Sequence, residues 1–149
     1  MKAVLDTNIL FSAAISVGTS HKVVRAAINE AVFEILICGQ QLQELRDVML
    51  RPRKQYRFTP GEADGYLTVL YNDGVVITDL IRTETKHTRD AKDDYLIDLA
   101  IQGQAEVVVS NDEHLLELNE IIIGTSKIPI ITGRQFLTYL ERNSLLNQN

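Results

Sequence analysis

The pattern of apolar and polar positions predicts a chain in which short buried strands alternate with amphipathic helices. Apolar runs rich in valine and isoleucine predict strands that end at Leu5 and span residues 33–38, 75–78, 107–110 and 128–132. Apolar residues at helical spacing predict helices over residues 9–15, 20–31, 40–50, 60–72, 90–102 and 133–143, and one that ends near residue 118. This alternation favours parallel pairing, so the predicted fold class is α/β, a three-layer α/β/α domain with a mostly parallel, roughly five-stranded sheet.

Local signals refine several of these elements. Ser20 is a predicted N-cap, and Thr59 followed by Pro60 is typical of the first turn of a helix. Pro129 lacks a backbone N–H, which predicts that its strand lies at an edge of the sheet. Residues 80–89 are polar and aperiodic and are predicted to form a loop, whereas the apolar run 121–123 is compatible with helix or strand.

Composition and charge limit the classes of protein that the chain can belong to. The sequence has 149 residues, 45% hydrophobic and 23% charged, which predicts a single globular domain over residues 1–149. The net charge of −5 argues against binding nucleic acid by bulk charge alone, although it allows a local basic strip. No apolar run reaches membrane-spanning length, and the single Cys38 lies in an apolar run typical of a buried thiol. We therefore expect a cytoplasmic protein that does not bind membranes.

Four acidic residues hold comparable places along this predicted fold. Asp6 and Asp112 follow the first and fourth strands, at the edge of the sheet where open α/β folds bind their ligands. Asp93 extends the inward face of its predicted helix, in line with Leu96. Glu44 lies at the margin of the apolar stripe on the helix after the second strand. We expect the four side chains to converge on one cleft.

Converging carboxylates repel one another, and holding them ionised together is costly unless a cation neutralises them. Oxygen ligands without histidine or cysteine favour Mg²⁺ or Mn²⁺ over zinc, and one or two such ions suit the hydrolysis of phosphodiester bonds. Taken singly, each acid also has a plainer explanation as a helix cap or a solvated side chain. Their joint occurrence, with Glu44 and Asp93 beside apolar stripes, favours a shared site.

Four segments that carry these acids resemble PIN-domain ribonucleases, and more narrowly toxin-type PIN proteins similar to VapC toxins. The segments are residues 5–10, 41–45, 90–100 and 108–116, and their order and spacing match along nearly the whole chain. The resemblance implies a PIN-like fold and a magnesium- or manganese-dependent endoribonuclease. It also implies that a cognate antitoxin blocks the cleft and that the protein pairs as a homodimer.

The resemblance further assigns roles to individual residues. The catalytic and metal-binding acids would be Asp6, Glu44, Asp93 and Asp112, supported by hydrogen bonds from Asn8 and Ser110. Asp94 is the alternative third acid; Asp93 is preferred because Asp94 and Asp98 are predicted to point aside from the inward face. The family often has an acid where this chain has His114, a difference that bears on the number of metal ions.

A basic segment offers a candidate surface for RNA. Its cations, Arg46, Arg51, Arg53, Lys54 and Arg57, are interleaved with Tyr56 and Phe58. Such a cluster can bind phosphates while its aromatic rings stack on unpaired bases, and the resemblance favours single-stranded RNA. An equally good explanation is a solvated loop that the aromatic rings anchor to the core.

Two alternatives for the function come from other classes. A PIN-like fold can serve as a non-catalytic module that binds RNA or protein, although the presence of all four acids counts against it. A receiver-type phosphoacceptor domain is also a small parallel α/β domain, but it would need a lysine after the fifth strand, where this chain has Gly133 and Arg134.

Overall fold

The structure is a computed structural model that describes residues 1–83 and 94–143. Within these ranges the strands are β1 (Lys2–Leu5), β2 (Glu34–Cys38), β3 (Val75–Ile77), β4 (Val107–Val109), β5 (Glu120–Ile123) and β6 (Ser126–Ile131). The helices are α1 (Thr7–Ile15), α2 (Thr19–Ile28), α3 (Gly39–Leu50), α4 (Pro60–Asp73), α5 (Asp94–Gln102), α6 (Glu113–Leu116) and α7 (Gly133–Arg142). Short strands and amphipathic helices therefore alternate as predicted.

The strands form one sheet in the order β3-β2-β1-β4-β6-β5. All neighbours pair in parallel except β5 and β6, which are antiparallel. The apolar run 121–123 belongs to β5, a sixth strand beyond the five predicted, and the mostly parallel α/β sheet is confirmed. The chain builds β2 and β3 on one side of β1 and β4 on the other, which makes the boundary between β1 and β4 a topological switch point.

Each face of the sheet is covered by its own hydrophobic cluster, because successive residues of a strand point to opposite faces. In β1, Leu5 packs into the cluster that includes Ile9 and Phe136, beneath α1, α2, α3, α4 and α7. Val4 packs into the cluster that includes Leu96, beneath α5 and α6. Cys38 is buried in this second cluster. The three-layer arrangement is thus confirmed.

The position of Pro129 differs from the prediction, because β6 lies between β4 and β5 and is not an edge strand. The N–H of Ile130 donates to the carbonyl of Asn119, on the β5 side. The nitrogen of Pro129 therefore faces β4, whose pairing with β6 begins one residue later, at Ile130. The missing N–H removes no ladder bond, which explains why proline is tolerated here.

Helix starts follow the local signals in part. Thr59 and Glu62 form the capping box of α4, with bonds of 3.1 and 3.0 Å, so this start is confirmed. The N-cap of α2 is Gly18 rather than Ser20, and this helix ends before Ala31, whose φ of 51° is left-handed. The predicted start of α5 at residue 90 lies outside the described residues. Within the described ranges, every helix is too short or too polar to cross a membrane.

Candidate active site

Asp6 and Ser110 extend the ends of the two central strands. Leu5 of β1 lies opposite Val109 of β4, and the N–H of Asp6 donates to the Val109 carbonyl at 2.9 Å. The Ser110 hydroxyl donates to Asp6 Oδ2 at 2.7 Å and accepts from the N–H of Asp112 at 3.0 Å. Asp6 is 4% exposed and Ser110 is fully buried. Parallel pairing thus brings together residues that are 104 positions apart, at the switch point of the sheet.

The electrostatics of Asp6 link it to two more acids. Burial raises the pKa of the Asp6 carboxyl above its ordinary value of 3.8, while the Ser110 hydroxyl and the nearby backbone N–H of Asn8 act in the opposite direction. The carboxylates of Asp112 and Glu44 raise the pKa of Asp6 further, so each of them lies within electrostatic range of Asp6. A bound cation would relieve both the burial penalty and the repulsion.

Side-chain hydrogen bonds hold Glu44 and the first turn of α1. The Tyr95 hydroxyl donates to Glu44 Oε2 at 2.6 Å and lies 3.2 Å from Thr7 Oγ1. Gln41, one turn before Glu44 on α3, donates from Nε2 to the Leu5 carbonyl at 2.6 Å. Helices α1, α3 and α5 therefore meet through polar contacts beside Asp6.

Asp112 acts as a helix cap, the plainer role that its place before α6 allows. Its Oδ1 accepts from the N–H of His114 at 2.7 Å, which makes Asp112 the N-cap of α6. Asp6 precedes α1 in the same manner but makes no side-chain cap bond. A capping carboxylate retains lone pairs for a further ligand, so capping and cation binding are compatible.

The candidates for the third acid lie at or just before the start of α5. Asp93 lies outside the described residues, whereas Asp94 and Asp98 are 7% and 1% exposed. Because every residue from 94 to 100 is buried, burial does not distinguish Asp94 and Asp98 from the inward face, and the preference for Asp93 stays a prediction. Asp98 binds the N–H and the hydroxyl of Thr83 at 3.1 and 2.9 Å. Its carboxylate thereby ties the segment after β3 to α5.

The donor set of the site consists of carboxylate oxygens, which fits Mg²⁺ or Mn²⁺. Among residues 1–83 and 94–143, no three histidine, cysteine, aspartate or glutamate side chains converge closely enough to hold a metal ion by themselves. Asp112 and Glu44 each repel the Asp6 carboxylate, and a cation bound beside Asp6 would neutralise that repulsion.

The basic segment is anchored at some points and exposed at others. Phe58 packs edge-on against Phe11 of α1, with ring centroids 6.4 Å apart, and Arg53 lies 4.3 Å above the same ring. Arg46 pairs with Asp64 at 2.9 Å, which neutralises its charge. The remaining members are exposed: Arg51, Lys54, Tyr56 and Arg57. Part of the segment is therefore an anchor, and part is available to a ligand.

Three polar residues beside the site do not stand out in the sequence as candidates: Tyr95, Thr7 and Gln41. All three are buried, and each adjoins a predicted site residue along its own element. A polar residue next to a candidate acid at a buried position is the signal that would find them. Asn8, in contrast, has an exposed side chain and approaches Asp6 through its backbone.

These features define a parallel α/β domain with an acidic site at the switch point of its sheet. The family model of the PIN domain matches residues 2–114, a range that includes Asp6, Glu44 and Asp112. The chain therefore belongs to the PIN domain family. PIN domains are generally nucleases and typically use divalent metal ions. No similar protein emerges from a search of the curated proteins.

The strand order tests the receiver-type alternative. The receiver-type phosphoacceptor domain has the strand order 2-1-3-4-5, in which β1 has the second and third strands as neighbours. In this chain β1 lies between β2 and β4, and β3 lies at the edge of the sheet. The receiver-type alternative is therefore wrong, whereas a PIN domain without catalytic activity is compatible with the fold.

Proposed function

We propose that this PIN domain is a Mg²⁺- or Mn²⁺-dependent endoribonuclease that hydrolyses phosphodiester bonds of single-stranded RNA. The observation that carries the proposal is the buried Asp6, whose pKa is raised by burial and further by Asp112 and Glu44. Burial and two neighbouring carboxylates disfavour the ionised form of Asp6 at this ligand-binding edge unless a cation binds there. Cation binding thus gives this arrangement a physical reason.

The chain's own residues would hold and order this site. Asp6, Glu44 and Asp112, with Asp93 or Asp94, would bind one or two divalent cations. Bound there, the cations would activate a water molecule and neutralise charge on the attacked phosphate. Ser110 holds Asp6 Oδ2 in place, and the backbone N–H of Asp112 in turn holds the Ser110 oxygen. The Ser110 hydroxyl thus links Asp6 to Asp112 and restricts their movement relative to each other.

The exposed part of the basic segment would bind the substrate. Arg51, Lys54 and Arg57 offer cations to phosphates, and Tyr56, 38% exposed, offers a ring to an unpaired base. Arg46 would contribute less, because Asp64 already neutralises it. A net charge of −5 leaves affinity dependent on such a local strip. Stacking requires unpaired bases, which favours single strands over duplex.

The test is cleavage of a labelled single-stranded RNA by purified protein, with Mn²⁺ and with EDTA. We expect cleavage by the wild type only with Mn²⁺, and none by Asp6→Asn. Asp73→Asn is the matched control, since Asp73 is exposed at the end of α4 and should leave cleavage unchanged. Mn²⁺ should also raise the melting temperature of the wild type, because a ligand of the native state stabilises it.

Two outcomes would contradict the proposal. Full metal-dependent cleavage by Asp6→Asn would remove Asp6 from the mechanism. RNA binding without cleavage, together with a melting temperature insensitive to Mn²⁺ and Mg²⁺, would favour the non-catalytic module. One observation favours that alternative: Asp112 already has a structural role as the N-cap of α6.

The finer biological role rests on the resemblance of the four acidic segments. We propose a cytoplasmic toxin that forms a homodimer and is inhibited by a cognate antitoxin protein. This role requires that expression of the chain arrest bacterial growth and that Asp6→Asn abolish the arrest. Nuclease activity without growth arrest would support the proposed enzymatic activity and contradict the proposed role as a toxin.

A further inference from the structure

The Tyr95 side chain joins three helices at the candidate active site. Its residue is fully buried, in the cluster that also contains Val4 and Leu36. Its hydroxyl donates to Glu44 Oε2 at 2.6 Å, and Thr7 Oγ1 lies 3.2 Å from the same phenolic oxygen. Thr7 is itself buried and follows Asp6 directly in the chain. One rigid phenol thus connects the helix that carries Glu44 with the residue after Asp6.

A glutamate needs such a partner to stay in one conformation. Its side chain has several rotatable bonds, and Glu44 lies in a partly exposed position on α3. A hydrogen bond to an ionised carboxylate is stronger than a neutral one, and the Tyr95 donor is immobile because its ring is packed in the core. The bonded oxygen keeps a second lone pair, so the contact does not prevent Glu44 from binding a cation.

We propose that Tyr95 is a positioning residue, whose hydroxyl fixes the Glu44 carboxylate beside Asp6 so that the two acids can share a cation. The inference rests on the proposed function for the identity of that cation. In this proposal Tyr95, which is not an acid, holds Glu44 and has no direct role in binding the cation or the RNA. Thr7 supports the arrangement, because its hydroxyl contacts the phenolic oxygen from the side of α1.

The first test compares Tyr95→Phe with a matched control, Tyr66→Phe. Tyr66→Phe also removes one hydroxyl hydrogen bond, the one that Tyr66 donates to the Leu10 carbonyl at 2.7 Å, and not the bond to Glu44. We expect Tyr95→Phe to weaken Mn²⁺ binding, measured by calorimetry, by about 10- to 100-fold, the range found for partners of metal ligands. The value of kcat should fall with the Mn²⁺ affinity while KM for RNA stays constant. Equal Mn²⁺ affinities for the two variants would overturn the inference.

A second measurement separates this inference from the proposed function. Tyr95→Phe and Glu44→Ala are combined in a double-mutant cycle of thermal unfolding in EDTA. We expect the double variant to lose less stability than the sum of the single variants, because each single change removes the same bond. Additive losses would overturn the inference. If the wild type neither binds Mn²⁺ nor cleaves RNA, the proposed function fails, and the cycle still decides whether Tyr95 holds Glu44.

Discussion

Ser110→Ala is the variant whose consequences follow most directly from the structure. Ser110 is fully buried, and its hydroxyl makes two hydrogen bonds, one to Asp6 Oδ2 at 2.7 Å and one from the N–H of Asp112 at 3.0 Å. Alanine occupies the same space without the hydroxyl. The variant therefore removes both bonds and leaves a buried carboxylate oxygen and a backbone N–H without their partner.

The expected loss can be estimated from the two bonds. A bond to a charged group is worth roughly 1.5–3 kcal/mol and a neutral one about 1 kcal/mol, so we expect the free energy of unfolding to fall by about 2–4 kcal/mol. Little of this is lost to solvent screening, since Asp6 is 4% exposed. For a domain of this size, the melting temperature should fall by roughly 5–15 °C.

The loss should also depend on pH, with a defined sign. The Ser110 bond lowers the pKa of Asp6, which means that it stabilises the ionised carboxylate more than the protonated one. Without the bond, the folded-state pKa of Asp6 rises further above its ordinary 3.8, while the unfolded-state value is unchanged. The destabilisation is therefore largest at neutral pH and shrinks as the pH falls through the folded-state pKa.

The assay is urea unfolding of wild type and Ser110→Ala in EDTA, from neutral to mildly acidic pH. Ser126→Ala is the control, because Ser126 is an exposed serine in β6. The reasoning is refuted if the two variants differ by less than about 0.5 kcal/mol, the usual range for surface substitutions. It is also refuted if the loss for Ser110→Ala grows as the pH falls.

Three further predictions concern stability. Burial and neighbouring carboxylates raise the pKa of Asp6, so its ionised form is disfavoured in the folded state. Asp6→Asn should therefore raise the melting temperature in EDTA at neutral pH. A melting temperature below that of the wild type would contradict this. Gly74→Ala should destabilise by about 1–3 kcal/mol, because its Cβ would lie 2.6 Å from the Leu70 carbonyl oxygen. Gly65 lies inside α4, and a Cβ added there would meet no atom within 4 Å, so Gly65→Ala should stabilise the protein by about 1 kcal/mol in the same urea assay. Equal effects of Gly74→Ala and Gly65→Ala would be evidence against the close approach of Gly74 to the Leu70 carbonyl.

The sequence by itself determined the features that depend on neighbouring residues. Apolar periodicity located five of the six strands of the described residues and most of their helices, because burial of one face imposes a fixed spacing on each element. The start of α4 at Thr59 and Pro60 was visible because a capping residue and a proline at the first helical position are neighbours in the sequence. The α/β class and the places of Asp6 and Asp112 after their strands follow from the same local order.

Only the tertiary structure decided which of these residues meet. The bond between Ser110 and Asp6 spans 104 positions, and the bond between Tyr95 and Glu44 spans 51. Periodicity tells which face of an element is buried, but the contacts across that face depend on strand order and register, which are set by long-range pairing. The burial of Asp98 escaped the local pattern for the same reason, since its partner Thr83 belongs to another segment of the chain. The internal position of Pro129 escaped because the run 121–123, which forms the outer strand β5, was compatible with helix or strand.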